Sequence, residues 1–588
     1  MVQSMGKIRR SLDRWRVAIA TDLDVAQPEQ ENLWIINQQV QSLLLRLLLL
    51  HGFDQQGRLP TALRSLPDHH LGHSLHMLWE DCRKRYGDWL SIEDPKIEWN
   101  LGDLQLRSLL QEIAIEFAEP LHPRDLGQLY EDCLGRPLQW VESHWQIAPQ
   151  SPHRKNSGSY YTPAAIAQIM VHHTLGAWLA DWQEKGDRPS VRILDPACGG
   201  GIFLLTAYET LLDWYQQRWG CGLTVSDRSQ ILRDHLFGID CNSQAVEVSR
   251  LSLGWMQLWG CNQEPENPLP SLQENLQLGN ALLDSPEQAN SFLNLDNTLQ
   301  SLAGETLFPD LLRSPSFEVV IGNPPYLDSE AMTTQLPHWR RYCGDRYRSA
   351  SGNWDLFCVF IERSLELCCP GGFVSLIVPN KLASAEYATA TRSLLTQESQ
   401  LLNLWDYSQL PVFAAAVYPL VYVAQKQSPD ASVAVQYCSM QDLTTEGDRL
   451  ELPYRRFLRS PNQPWRFLPA SCLEDRMNWI QESFPLLGDI AQVIGAATVG
   501  EAYAIHPFIQ EAYDAEIRNH ETTEQIGLKL VNSGTIDRYH LRWGEKQLRY
   551  LGDRFWRPII PTESYSQLPQ KRLQQALRPK LTGLTQRH

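Results

Sequence analysis

The sequence predicts an α/β protein: a parallel sheet covered by helices on both faces, preceded by a helical region and followed by a mixed α+β segment. Three observations predict it. From about residue 155, short and almost wholly apolar runs alternate with helical patterns, as strands buried on both faces of a parallel sheet do. The first of these runs leads into three consecutive glycines, a turn suited to a ligand at the carboxyl end of a strand. Ahead of it, residues 30–150 carry apolar residues at three- and four-residue spacing.

The helical region begins with the stripe Leu33, Ile36, Val40, Leu43, Leu44 and Leu47. Gly57, Pro60, Pro67 and Pro95 divide it into separate helices, and His122-Pro123-Arg124 opens another through Leu126, Leu129 and Tyr130. The apolar run Leu43–Leu50 contains Arg46 and falls well short of the roughly 20 residues that span a bilayer, so a buried helix is predicted and no membrane partner. Met1–Arg10 is basic with no apolar stretch behind it, so no secretion signal is expected. The 12 cysteines include no Cys-x-x-Cys pair. They read as free buried thiols rather than disulfides or metal ligands, and the expected location is the cytoplasm.

The predicted strands are Val191–Leu194, Leu236–Ile239, Phe317–Ile321 and Phe373–Val378. Open α/β sheets bind ligands beyond the carboxyl ends of their strands, so the chemistry is sought there. The first strand runs into Asp195-Pro196-Ala197-Cys198-Gly199-Gly200-Gly201. Asp195 can pair with a ligand ammonium group, and the glycines let a ligand approach the backbone. No Lys-Ser or Lys-Thr follows, which disfavours a phosphate-binding P-loop. The second strand ends in Asp240-Cys241-Asn242. Asp240 is placed to accept hydrogen bonds from ribose hydroxyls, leaving Asn242 or Ser243 to cap the following helix.

The third strand runs into Gly322-Asn323-Pro324-Pro325-Tyr326. The lone pair of an exocyclic aromatic amine is delocalised into its ring, so the amine is a poor nucleophile. Acceptance of its two hydrogens by the Asn323 side-chain oxygen and the Pro324 main-chain oxygen would let the nitrogen pyramidalise. Consecutive prolines stiffen such a loop, and Tyr326 offers a face on which an extruded base can stack.

Taken together, the motifs resemble those of the gamma class of DNA adenine-N6 methyltransferases, over roughly residues 150–430. The pattern is nearest to the methylase portion of the type IIG restriction-modification family. The resemblance implies a Rossmann-like class I methyltransferase core, S-adenosyl-L-methionine as cofactor and double-stranded DNA, with a flipped adenine, as substrate. It assigns Asp195, Ala197, Gly199 and Gly201 to the cofactor loop, where many relatives carry Ser in place of Gly200. Asp240 would hold the ribose and Cys241 would lie against the cofactor adenine. Leu278-Gly279-Asn280-Ala281-Leu282 resembles the third motif, with Asn280 accepting from the cofactor's adenine amino group. Gly158-Ser159-Tyr160-Tyr161-Thr162-Pro163 resembles the motif ahead of the glycine loop, with Thr162 on the methionine carboxylate and Pro163 opening a helix. Asn353-Trp354-Asp355-Leu356-Phe357 resembles a motif on the helix side of the cofactor pocket. Leu410-Pro411-Val412-Phe413 resembles one whose aromatic, Phe413, packs on the flipped adenine opposite Tyr326.

Three regions are expected: a helical domain at 1–150, a methyltransferase core at 151–430 and an incomplete target-recognition domain at 431–588. The formal charge is −16, which argues mildly against a nucleic-acid partner. From Glu521 onward, however, twelve basic residues stand against six acidic ones, interleaved with Tyr539, Trp543, Tyr550, Phe555 and Trp556. That mixture suits a nucleic-acid face. Asn532–Tyr539 resembles the start of a target-recognition domain that normally continues well beyond such a segment. No Asp followed by Glu-x-Lys precedes the helical region, so any nuclease, or a specificity subunit, is expected on another chain. The alternatives are a catalytically inactive DNA-binding subunit of a defence system and a protein glutamine N5-methyltransferase, which shares the Asn-Pro-Pro-Tyr loop.

Overall fold

The computed structural model describes residues 2–23, 33–90, 101–148, 161–182, 189–283 (except 221 and 262), 315–459 (except 414–416) and shorter stretches within 464–564. It divides into two compact units, Met1–Glu474 and Asp475–His588.

The first unit opens with helices α1 (Val2–Asp22), α2 (Leu33–Gln55), α3 (Leu71–Tyr86), α4 (Asp103–Glu116) and α5 (Pro123–Leu134). As read from the sequence, α5 begins at Pro123, and the His122 N–H donates to the Asp125 carboxylate. Helix α2 is long and apolar enough for a membrane span, but Leu43–Leu50 are all buried inside the fold. A short antiparallel hairpin, β1 (Leu138–Val141) and β2 (His144–Ile147), closes the region. The helical pattern had not shown it.

The core is a nine-stranded mixed sheet. Its strands are β3 (Ile193–Asp195), β4 (Leu236–Asp240), β5 (Leu276–Leu278), β6 (Phe317–Gly322), β7 (Cys368–Pro379), β8 (Gln400–Asp406), β9 (Pro419–Gln425), β10 (Ala434–Met440) and β11 (Glu446–Pro453), in the order β11-β10-β8-β9-β7-β6-β3-β4-β5. Strands β5-β4-β3-β6-β7 run parallel, while β9 is antiparallel to both its neighbours. Connecting helices include α6 (Ala164–Val171), α7 (Ile202–Trp219), α8 (Val225–His235), α9 (Ser243–Leu258), α10 (Ser329–Gln335), α11 (Pro337–Arg346), α12 (Phe357–Leu367) and α13 (Thr389–Gln397).

The near-continuous apolar strands follow from burial on both faces. Side chains alternate across a strand, so Ile193, Val319, Ile321 and Ile377 join one hydrophobic cluster, while Leu194, Val320, Val374, Leu376 and Val378 join the other. The first cluster also contains most of the apolar side chains of α1–α5.

Two expected boundaries are therefore corrected. The helical region at 1–150 is not a separate compact unit, because it shares one core with the sheet. Gly52 of α2 lies so close to Trp255 of α9 that a Cβ would stand 2.3 Å from the indole, and Gly254 sits equally tightly on Trp89. The Arg58 guanidinium donates to Leu258 O at 2.7 Å. The boundary at 430/431 also moves. Strands β10 and β11 extend the core sheet, β10 pairing parallel to β8, and the unit ends at Glu474.

The described part of the second unit holds short antiparallel pairings, including a three-stranded sheet in the order β12 (Gln510–Glu511), β14 (Pro558–Pro561), β13 (Gly527–Lys529). Ile505, Ile509 and Ile560 form its small core. The Glu511 carboxylate accepts from the Trp556 and Arg557 N–H groups, and Trp543 Nε1 donates to Pro558 O. Of the interleaved aromatics, Trp556 is exposed. Asn532–Gly534 and Tyr539 lie outside the described residues, as does Gly158–Tyr160.

Candidate active site

Register brings the strand ends to one edge of the sheet. Asp195 pairs with Gly238, Asp240 with Leu278, and Gly322 with Leu376. The chain progresses from β3 to β4 and β5 on one side and to β6 on the other. The loops after β3 and β6 are therefore neighbours at the point where strand order reverses, where α/β sheets form their ligand crevice.

The loop after β3 is built around two carboxylates, the buried Asp195 and the half-buried Asp240. Asp195 is fully buried. Its Oδ1 accepts from Ala197 N–H at 3.1 Å, and its buried Oδ2 has no hydrogen-bond partner among the described residues. Burial, with the Asp240 charge adding, pushes this carboxyl well above its usual range. The Asp240 carboxylate accepts from Gly199 N–H at 2.9 Å and from Asn242 N–H at 2.8 Å, and its own pKa is raised by burial. Gly199 and Gly201 have φ of +50° and +83°, the left-handed region that an L side chain rarely adopts. Asn242 caps α9 by accepting from Gln244 N–H, as the sequence suggested.

Cys241 Sγ donates to Gly279 O at 3.2 Å, which joins the loops after β4 and β5. The Asn280 side-chain oxygen accepts from Leu282 N–H at 3.0 Å. One of the lone pairs expected for a cofactor therefore stabilises a turn, and the other is left for a ligand.

The loop after β6 presses on the loop after β3. A Cβ on Gly322 would stand 2.7 Å from Asp195 Oδ1, so a glycine must precede Asn323. Asn323 Nδ2 donates to Thr162 Oγ1 at 3.1 Å. Pro324 is buried and Pro325 half-buried. Tyr326 O–H donates to Ile377 O at 3.1 Å, and its ring meets Phe413 edge-to-face with centroids 5.9 Å apart. These two rings are already in contact, so a base entering on Tyr326 must share or displace that contact.

Sequence reasoning missed the residues that support the glycine loop. Ser249 of α9 donates to Gly199 O at 2.7 Å and would meet a Cβ on Gly201 at 2.9 Å. Gly127 of α5 packs backbone to backbone on Gly200, where an added Cβ would stand 2.8 Å from the Gly127 Cα. The buried Glu131 brings Oε1 to 3.1 Å from the Cβ position of Gly199. Asp355, read as part of a motif beside the cofactor pocket, instead accepts from Tyr387 O–H at 2.5 Å, Lys381 Nζ at 3.3 Å and Ser329 N–H at 3.3 Å. It thereby anchors the segment that follows the loop after β6.

Comparison with known proteins gives this geometry a family. Residues 145–264 match the model of the N-6 DNA methylases, and residues 234–413 match that of the Eco57I restriction-modification methylases. Residues 145–413 are thus similar to two families of DNA methylases, and this span contains every strand-end residue described above.

Among curated relatives, the chain is 26% identical over 333 residues to the type II restriction enzyme and methyltransferase RM.Eco57I of Escherichia coli, covering 52% of this chain and 31% of that protein. It is 23% identical over 417 residues to the type II methyltransferase M.BstVI of Geobacillus stearothermophilus, covering 66% of each. The chain thus spans less than two thirds of the length of these relatives. Among solved structures, the type IIL restriction-modification enzyme MmeI in complex with DNA superposes with a TM-score of 0.51 at 15% identity, covering 76% of this chain and 61% of that one. That likeness shows a shared fold.

Proposed function

We propose that the chain transfers a methyl group from S-adenosyl-L-methionine to the N6 amino group of adenine in a specific DNA sequence, within a restriction-modification or related defence system. The observation that carries this reading is the Asn323 amide at the carboxyl end of β6. Its nitrogen donates to Thr162 Oγ1, an arrangement in which its oxygen is the accepting end, and the loop that bears it touches Asp195.

The residues fit the cofactor. Asp195 Oδ2, with no partner among the described residues, suits the methionine ammonium group, and the Asp240 carboxylate suits the ribose hydroxyls. Gly199 and Gly201 hold the loop at positive φ, with their Cβ positions closed off by Glu131 and Ser249, so this loop presents main chain rather than side chains. When bound, the cofactor supplies a sulfonium methyl: as the N6–CH3 bond forms, the S–CH3 pair stays on sulfur and one N6 proton passes to water. The chain's own part is positional. Asn323 Oδ1 and Pro324 O accept the two amine hydrogens, which lets the nitrogen pyramidalise and aims its lone pair. Tyr326 stacks on the extruded base, a contact worth about 1–3 kcal/mol, and Phe413 packs beside it. No side chain has to remove a proton beforehand.

DNA recognition is assigned to the basic, aromatic-rich segment from Glu521 onward, with a nuclease or specificity subunit as a partner on another chain. The test is tritiated methyl transfer to unmethylated plasmid, with a release factor as the protein control. Label on N6-methyladenine is expected, and label on the protein alone overturns the reading. Asn323→Ala should leave cofactor binding within about threefold yet abolish transfer, since it removes an interaction made at the reacting nitrogen.

A further inference from the structure

We propose that Thr162 is a positioning residue for Asn323, and that cofactor binding sets the orientation of the catalytic amide through it. This rests on the functional reading above and adds to it. The sequence motif assigns Thr162 to the methionine carboxylate alone. The structure adds a second partner, because the Thr162 hydroxyl, 3% exposed, accepts from Asn323 Nδ2.

The chemistry of the two groups explains why this matters. An asparagine amide can be turned end for end, which exchanges a donor for an acceptor, and a hydroxyl can either donate or accept. The hydrogen bond between these two groups is compatible with two arrangements. In one, Thr162 accepts from Nδ2 and Oδ1 is the end that can accept from the substrate amine. In the other, Thr162 donates to Oδ1 and the amine meets an N–H, which cannot accept its hydrogen. A carboxylate that takes the Thr162 proton removes the second arrangement, because the hydroxyl can then only accept. Its oxygen also becomes a stronger acceptor when its proton is engaged by an anion. The carboxylate of the bound cofactor thereby prepares Asn323 before any base arrives. Thr162 is well placed for this. It lies immediately before Pro163, the N-cap of α6, and reaches a catalytic residue 161 positions away.

The experiment compares Thr162→Val, which removes the hydroxyl, with Thr162→Ser, which keeps it, in the full chain. Equilibrium titration gives cofactor affinity, and single-turnover transfer to plasmid gives the rate at saturating cofactor. Thr162→Val should transfer about 100-fold more slowly even when saturated, while Thr162→Ser stays within about tenfold of wild type, as expected when a reacting group is misaligned rather than its ligand lost. A higher cofactor KM with an unchanged saturated rate would overturn the proposal, because Thr162 would then serve binding alone.

A second readout needs no methyl transfer. In protein carrying 15N-asparagine, the Asn323 side-chain NH2 signal is identified by its loss in Asn323→Ala. S-adenosyl-L-homocysteine, which carries the same carboxylate, should slow hydrogen exchange of that NH2 in wild type and Thr162→Ser but not in Thr162→Val. An equal response in all three overturns the proposal. If Thr162→Val does not fold, Thr162→Ala takes its place in both assays. If wild-type protein labels no DNA, the functional reading falls while the NMR comparison still decides the role of Thr162.

Discussion

At the scale of single residues, Asp195 concentrates the conflict between folding and function. Its carboxyl is fully buried, and one of its oxygens has no partner among the described residues. Because the folded pKa is raised, the stability cost of ionising Asp195 is absent below the ordinary carboxylate range. It grows as pH rises toward the folded value and is complete above it. Asp195→Asn should therefore raise the melting temperature of the cofactor-free protein at neutral pH, read by differential scanning calorimetry. The same change should weaken cofactor binding on the order of 10- to 100-fold, since a hydrogen bond to a charged group is worth about 1.5–3 kcal/mol. In wild type, the ammonium favours the ionised carboxyl, so cofactor affinity should climb with pH across the same window. An affinity that is flat with pH, or a less stable Asp195→Asn, would show that the carboxyl does not face the ammonium.

At the scale of elements, the site is made by close approach of backbones. Helix α5 lies on the glycine loop through the Gly127–Gly200 contact, and β6 lies on β3 through Gly322 and Asp195. The sequence alone presented Gly200 as a small residue standing where relatives carry Ser. The structure gives it a specific reason: an added Cβ would meet the main chain of α5, which cannot rotate away. Gly200→Ser should therefore cost about 1–3 kcal/mol, the usual cost of overpacking a tight contact. The check is a urea melt, and an unchanged midpoint would mean that α5 can shift freely. Gly322→Ala should be worse for function than for folding, because the atom it crowds is the Asp195 oxygen that holds the Ala197 N–H.

At the scale of the whole molecule, the helical region and the sheet are one structural unit. The side chains of α1–α5 belong to the same cluster as Ile193, Val319 and Ile321, and Trp255 and Trp89 are seated on glycines across that junction. A fragment of residues 151–474 should therefore be insoluble or molten. Residues 1–474 should fold and bind cofactor with an affinity within about threefold of the full chain, because a compact unit retains its own core. Near-ultraviolet circular dichroism and cofactor titration distinguish these outcomes. A well-folded 151–474 fragment would restore the separate-domain reading.

The sequence by itself determined which residues stand at the strand ends. Asp195, Asp240 and Asn323 each follow an apolar run directly, and the carboxyl end of a buried parallel strand is a local, readable position. The prolines and glycines around them carry their own backbone constraints. What depends on contacts between distant parts of the chain was not readable. The antiparallel β9 and the outer strands β10 and β11 are defined by their pairing partners, and β11 alternates polar and half-buried residues much as a loop does. Likewise, Gly127 behind Gly200, Ser249 behind Gly199 and Thr162 beside Asn323 acquire meaning only when the fold brings them together. Thus the local pattern placed Asp195, Asp240 and Asn323 at strand ends, while the tertiary structure decided which neighbour each of them touches, because hydrogen bonds and close packing join residues by position in space.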